Sequence, residues 1–165
     1  MKRNEATPPP APDCAGRRFA IITARFHGDI AEQLVAGARQ GLRDCRVEDQ
    51  DVVLCDVAGC FELPLGCRKL IDTERFDALV ALGAVIRGQT AHFEFVAREC
   101  ARGIMDLQLA TGMPIGFGVL TTDDLDQAEE RADPKRGNKG YTAALAAAAM
   151  LCLNVDLPRT GFRRN

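Results

Sequence analysis

Ala78-Leu79-Val80-Ala81-Leu82-Gly83-Ala84-Val85-Ile86 is nine residues long and holds no polar side chain. A strand with one wet face alternates apolar with polar residues. An unbroken apolar run is what a parallel strand needs when helices cover both of its faces. Outward from this run, short apolar segments alternate with amphipathic ones. Upstream, Phe19-Ala20-Ile21-Ile22-Thr23-Ala24 and Asp51-Val52-Val53-Leu54-Cys55-Asp56-Val57 read as strands. Between them, Asp29-Ile30-Ala31-Glu32 has capping-box spacing, and Ile30, Leu34, Ala38 and Leu42 mark one helix face. Pro64 fits the first turn of a second helix, where its missing N–H costs little. Downstream, Phe93, Val96, Ala97, Cys100, Ile104 and Leu107 fall at helical spacing in a long helix from about Thr90, ended by Gly112 and Pro114. Ile115 to Leu120 is a fourth strand. Asp124-Leu125-Asp126-Gln127 repeats the capping-box spacing, and an Ala-rich helix runs from Asn138 to about Asn154. Strands alternating with helices define an α/β fold, a three-layer α/β/α sandwich on a four-stranded parallel sheet.

The 165 residues suit one domain with its own core, without disulfides or metal. Residues 1–16 carry Pro8, Pro9, Pro10 and Pro12 and read as a flexible Pro-rich arm, with one α/β domain over 17–165. The 21 basic and 23 acidic residues give a net charge of −2, and aromatics make up 5% with no Trp. Such a chain has neither the basic excess nor the stacking platform of a nucleic-acid module. No apolar run approaches the ~20 residues that span a bilayer. Seven cysteines without CxxC spacing or a signal-peptide pattern argue against a disulfide framework or zinc cluster and point to a reducing cytoplasm. With only His27 and His92 present, a multi-histidine metal site is excluded.

In a parallel sheet, ligands sit at the carboxyl ends of the strands. After the third strand come Arg87-Gly88-Gln89-Thr90-Ala91-His92. Gly88 admits close backbone approach. Gln89 and Thr90 lead into a helix whose free N–H groups and dipole favour an anion such as phosphate, unless Thr90 merely caps it. His92 falls in that helix's first turn; it either exchanges protons beside a bound anion or lies on the helix surface. Phe26, after the first strand, either stacks on a flat heterocycle or belongs to the core, the commoner place for a Phe. Glu62, near a helix start, either accepts hydroxyl hydrogen bonds or complements the dipole. Arg131 and Lys139 flank a late loop, where isolated charges are most often solvated. There is no G-x-x-x-x-G-K-[ST] loop, no G-x-G-x-x-G after the first strand and no G-x-S-x-G elbow.

Six segments, in order and spread over residues 19–154, carry a resemblance. They are Ala24-Arg25-Phe26, Gly59-Cys60-Phe61-Glu62-Leu63-Pro64, Ala81-Leu82-Gly83-Ala84-Val85-Ile86-Arg87-Gly88, Thr90-Ala91-His92-Phe93, Phe117-Gly118-Val119-Leu120-Thr121-Thr122 and Gly137-Asn138-Lys139-Gly140. On these the chain resembles the 6,7-dimethyl-8-ribityllumazine synthases of riboflavin biosynthesis. The resemblance implies a flavodoxin-like fold and a homopentamer with active sites between subunits. It implies condensation of 5-amino-6-(D-ribitylamino)uracil with 3,4-dihydroxy-2-butanone 4-phosphate, releasing phosphate and water, with no metal or organic cofactor. Carried over, it puts Phe26 on the pyrimidine ring and Cys60, Phe61 and Glu62 along the ribityl chain. Ala84, Val85 and Ile86 would hold the pyrimidine edge. Gln89, Thr90 and Arg131 would receive the phosphate, and His92 would be the general acid/base. Phe117, Arg131 and Lys139 would come from the adjacent subunit.

His27, Ala58, Gln89 and Tyr141 depart from the residues frequent in that family. Its members assemble as pentamers, pentamer pairs or hollow icosahedral shells. The short loop Asp133–Gly137 suits a shell, whereas the Pro-rich arm is poorly suited to strand pairing with a neighbour, so the higher order stays open. A signalling receiver module of similar size would need clustered carboxylates after the first strand, where Arg25-Phe26-His27 stands instead. A non-catalytic flavin or lumazine carrier and a pure shell protein are the other readings.

Overall fold

The computed structural model describes residues 10–153. Its sheet has four parallel strands in the order β2-β1-β3-β4: β1 (Phe19–Ala24), β2 (Val52–Val57), β3 (Ala78–Ile86) and β4 (Ile115–Thr122). Among the described residues the five α-helices are α1 (Gly28–Asp44), α2 (Leu63–Ile71), α3 (His92–Thr111), α4 (Leu125–Ala132) and α5 (Lys139–Leu151). The fold is thus the expected flavodoxin-like α/β/α sandwich. The apolar run that announced it is the central strand β3, with every residue buried but Ile86.

Side chains alternate across a strand, so β1 feeds two cores. Phe19 and Ile21 point with Val80 and Leu82 into the layer of α1, α4 and α5; Ala20 and Ile22 point with Leu79 and Ala81 toward α2 and α3. Fully burying a side chain such as Leu34 of α1 contributes about 1.5–3 kcal/mol. Among the described residues no helix is long and apolar enough to cross a membrane.

Some local readings shift. α1 begins at Gly28 with His27 as its N-cap and no side-chain cap, so Asp29 lies inside the first turn and complements the dipole instead of capping. α3 begins at His92, not Thr90, and ends on Gly112 in the left-handed region. β4 runs two residues further, to Thr122. The expected cap at Asp124 is formed: its carboxylate accepts from the Gln127 backbone N–H at 2.8 Å. Of the residues assigned to the N-terminal arm, 1–9 lie outside the described residues, while Cys14 is buried and its N–H donates to the Cys45 carbonyl at 2.8 Å. The end assigned to the last helix, at Asn154, also lies outside the described residues.

Candidate active site

Parallel strands present all their carboxyl ends at one pole, and the helices that follow them start there. A cleft of about 520 Å³ opens at that pole, a size that suits a small-molecule ligand. Its floor is Ala84, Val85 and Ile86 at the end of β3. One wall is Phe26 and His27 after β1, another is Ala58 to Glu62 after β2. The third is Gly88, Thr90, His92, Phe93, Phe95 and Val96 at the start of α3. Segments far apart in the chain therefore meet because each follows a strand of the same direction.

Phe26 is 80% exposed and meets the His27 ring edge-on at 5.0 Å, so it presents a free aromatic face and not a core contact. A free face of this kind stacks on flat rings. Cys60 is buried, and its Sγ donates to the Ala84 carbonyl at 3.7 Å. Burial pushes the thiol up to about 12, which keeps it protonated and removes it as a nucleophile. A Cβ on Gly83 would lie 2.6 Å from that sulfur and 2.9 Å from the Ala24 Cβ, so only glycine lets β3 pass beneath Cys60. Phe61 and Glu62 are exposed at the mouth. Burial lowers the pKa of His27 from its ordinary 6.5.

The helix starts differ by location. α4 and α5 are capped by Asp124 and Asn138, whereas α1, α2 and α3, which start beside the cleft, have no side-chain cap. At α3 the protein offers only the Thr90 hydroxyl, which accepts the His92 N–H at a long 3.4 Å. Donors and positive dipole end therefore stay free for an anion, next to an exposed imidazole. Gln89 is exposed in the preceding loop and Thr90 lines the cleft.

Phe117, Arg131 and Lys139 do not join this cleft. They meet in a second one, of about 290 Å³, between β4 and α5 at the edge of the sheet. The two clefts share no residue. Phe117 is 43% exposed, and both cations are exposed. The Gly137-Asn138-Lys139-Gly140 segment builds this corner. Asn138 adopts φ 44° and caps α5, accepting from the Tyr141 N–H at 3.4 Å. Gly140 lies so close to the Leu34 carbonyl of α1 that no Cβ fits. Tyr141, the bulky departure, turns away toward α1 and donates from its hydroxyl to Asp44 at 2.9 Å.

His27, the departure that follows the first strand, lines the cleft, and so does Phe95, to which sequence reasoning assigned no role. Phe93 and Val96, marked by helical spacing, pack against the core and line the cleft as well. Nor did sequence reasoning assign a role to Arg87, which stands 4.6 Å over the Phe93 ring and pairs with Asp123 at 2.9 Å, bracing the loop into α3.

Fold and cleft define the class: an α/β enzyme that handles small molecules at the carboxyl ends of its strands. A family model described as 6,7-dimethyl-8-ribityllumazine synthase matches residues 16–154. The 6,7-dimethyl-8-ribityllumazine synthase of Syntrophus aciditrophicus (strain SB) is 48% identical over 138 residues, 84% of this chain and 90% of that protein. The chain belongs to the 6,7-dimethyl-8-ribityllumazine synthase family, transferases of riboflavin biosynthesis.

Proposed function

We propose that this chain joins 5-amino-6-(D-ribitylamino)uracil to 3,4-dihydroxy-2-butanone 4-phosphate in the larger cleft, releasing phosphate and water. The observation that carries this is the uncapped start of α3, with His92 on its first turn, opening into an apolar cleft under a free Phe26 face. One substrate is flat and polyhydroxylated. Phe26 stacks on its ring, the Ala84–Ile86 backbone holds the ring edge, and Cys60, Phe61 and Glu62 border the ribityl chain. The other substrate carries a phosphate, which Gln89, Thr90 and the α3 N–H groups receive.

The steps are imine formation, loss of phosphate and ring closure, and each moves protons about an activated carbonyl. His92 moves them. Holding two substrates together supplies up to ~7–11 kcal/mol of the barrier. Acid/base help adds ~10²–10⁴-fold.

Arg131, Lys139 and Phe117 complete the site from a neighbouring copy in a homopentamer. Their separate grouping at a sheet edge supports this, since an edge cleft can lie against the mouth of another subunit's pocket. Whether pentamers associate further, into pairs or shells, is a question for light scattering. Seven free thiols suit the reducing cytoplasm.

The test mixes purified protein with both substrates, without metal or cofactor, and follows lumazine absorbance against the uncatalysed rate. Acceleration is expected. His92→Ala should lose about 10²–10⁴-fold in kcat while staying above background through proximity alone. A folded, assembled protein that gives no acceleration overturns the reading. Full kcat in His92→Ala overturns the role of His92.

A further inference from the structure

At the pole opposite the cleft, where the strands begin and α5 ends, two cysteines far apart in sequence meet. Cys14, in the turn before β1, places its Sγ 3.2 Å from the Sγ of Cys152, the C-cap of α5. Cys14 is 1% exposed, and Cys152 is the exposed cysteine of the seven. The turn is held in place. The Cys14 N–H donates to the Cys45 carbonyl at 2.8 Å, the Arg17 N–H donates back to the Cys14 carbonyl at 3.0 Å, and Asp13 pairs with Arg46 at 2.6 Å. A disulfide needs about 2.05 Å between sulfurs, so the pair must close by about 1.2 Å. Cys152 can supply that movement from the last turn of a helix, where ends fray.

We propose that Cys14 and Cys152 are a redox site, which hydrogen peroxide converts to a disulfide that staples the segment before β1 to the end of α5, and which a dithiol reductant reopens. The exposed Cys152 meets the oxidant first. Its sulfur attacks a peroxide oxygen, the O–O bond breaks, and Cys152 sulfenic acid and water result. The Cys14 sulfur then attacks the sulfenic sulfur, the S–O bond breaks, and hydroxide leaves with the Cys14 proton as a second water. Two thiols and one peroxide give one disulfide and two waters. Until then Cys14 stays a thiol, because burial and its hydrogen bond to Cys152 push it up to about 12. This order also separates the pair from Cys67 and Cys100, which are buried in the layer of α2 and α3.

The staple spans β1 through α5, so it constrains the whole domain, while its place at the far pole leaves the cleft untouched. The test treats the assembled full chain with peroxide. Two of the seven thiols should disappear, with a mass loss of about 2 Da per chain that dithiothreitol reverses. A non-reducing tryptic digest should join residues 4–17 to residues 140–159. The unfolding temperature should rise by about 5–10 °C with kcat unchanged.

Cys152→Ser should lose both the linked peptide and the rise. Cys14→Ala should leave a Cys152 sulfenic acid that dimedone traps. A Cys14–Cys45 link, a Cys152 link between two chains, or Cys152 oxidised to sulfinic acid beside a free Cys14 would each overturn the proposal. None of these outcomes bears on the synthase activity, so the two readings fail separately.

Discussion

Cys60 and His27 show how burial sets chemistry in this cleft. Cys60 carries the reactive side chain best placed to mislead, since it lies against the cleft floor and next to Glu62. Its pKa of about 12, driven first by burial, keeps it a packed thiol at working pH. Cys60→Ala should therefore lower kcat by only a few-fold, through looser packing beneath the ribityl chain, and iodoacetamide at pH 8 should modify Cys152 long before Cys60. Rapid alkylation of Cys60 would refute this. At His27 the sign is the reverse. Burial lowers its pKa, so the folded protein resists a proton that the unfolded chain accepts near the ordinary 6.5. Stability from this group is complete above 6.5 and falls as pH drops through the folded value. Denaturant midpoints measured from pH 7.5 to 5 should decline less in His27→Asn than in the parent. Equal slopes would place the acid sensitivity elsewhere.

At the scale of elements, legibility follows how local the cause is. β1 and β3 were readable to the residue, because an apolar run bounded by polar residues, broken in β1 only by Thr23, has one solution when both sheet faces are covered. The Asp124 cap was readable because its partner lies three residues away. The start of α1 was not, because Asp29 offers the same spacing signal whether it caps or sits inside the first turn. Phe26 defeated residue statistics: most Phe side chains are core, but this one follows a strand that ends at the mouth of a cleft. The grouping of clefts was not legible from periodicity at all. It depends on which strand neighbours which, and only the quoted motifs foreshadowed it. Of these, Gly137-Asn138-Lys139-Gly140 is mostly architecture, three residues shaping the corner that presents Lys139. Gly140→Ala would force α5 off the Leu34 carbonyl and should cost about 1–3 kcal/mol, with Arg131 and Lys139 displaced together. Chemical denaturation measures the cost. A neutral result would mean that α1 and α5 yield more easily than their close approach implies.

At the scale of the molecule, much apolar surface remains uncovered. Of the 20 residues of α3 only Cys100 and Ile104 are buried, while Phe95, Met105 and Leu109 are 66%, 52% and 80% exposed. Leu65 on α2 and Phe61 beside it are exposed as well. Such a patch marks a protein interface, and it lies next to the larger cleft. Together with the second cleft it supports the proposed arrangement, in which one chain carries two halves of different sites. A head-to-tail ring satisfies both halves at once. This arrangement can be tested without a structure of the ring. On the proposed roles, His92→Ala should disable the first half and Arg131→Ala the second, so that either variant alone is impaired at every site. In rings assembled at random from equal amounts of the two, a site is whole when an Arg131→Ala chain supplies His92 and its neighbour, a His92→Ala chain, supplies Arg131. That happens at about one quarter of the interfaces. Co-refolded mixtures should recover about one quarter of the parent kcat, well above the average of the two variants assembled separately. If each site were built within one chain, mixing would recover nothing, and Arg131 would lose its place in the reaction.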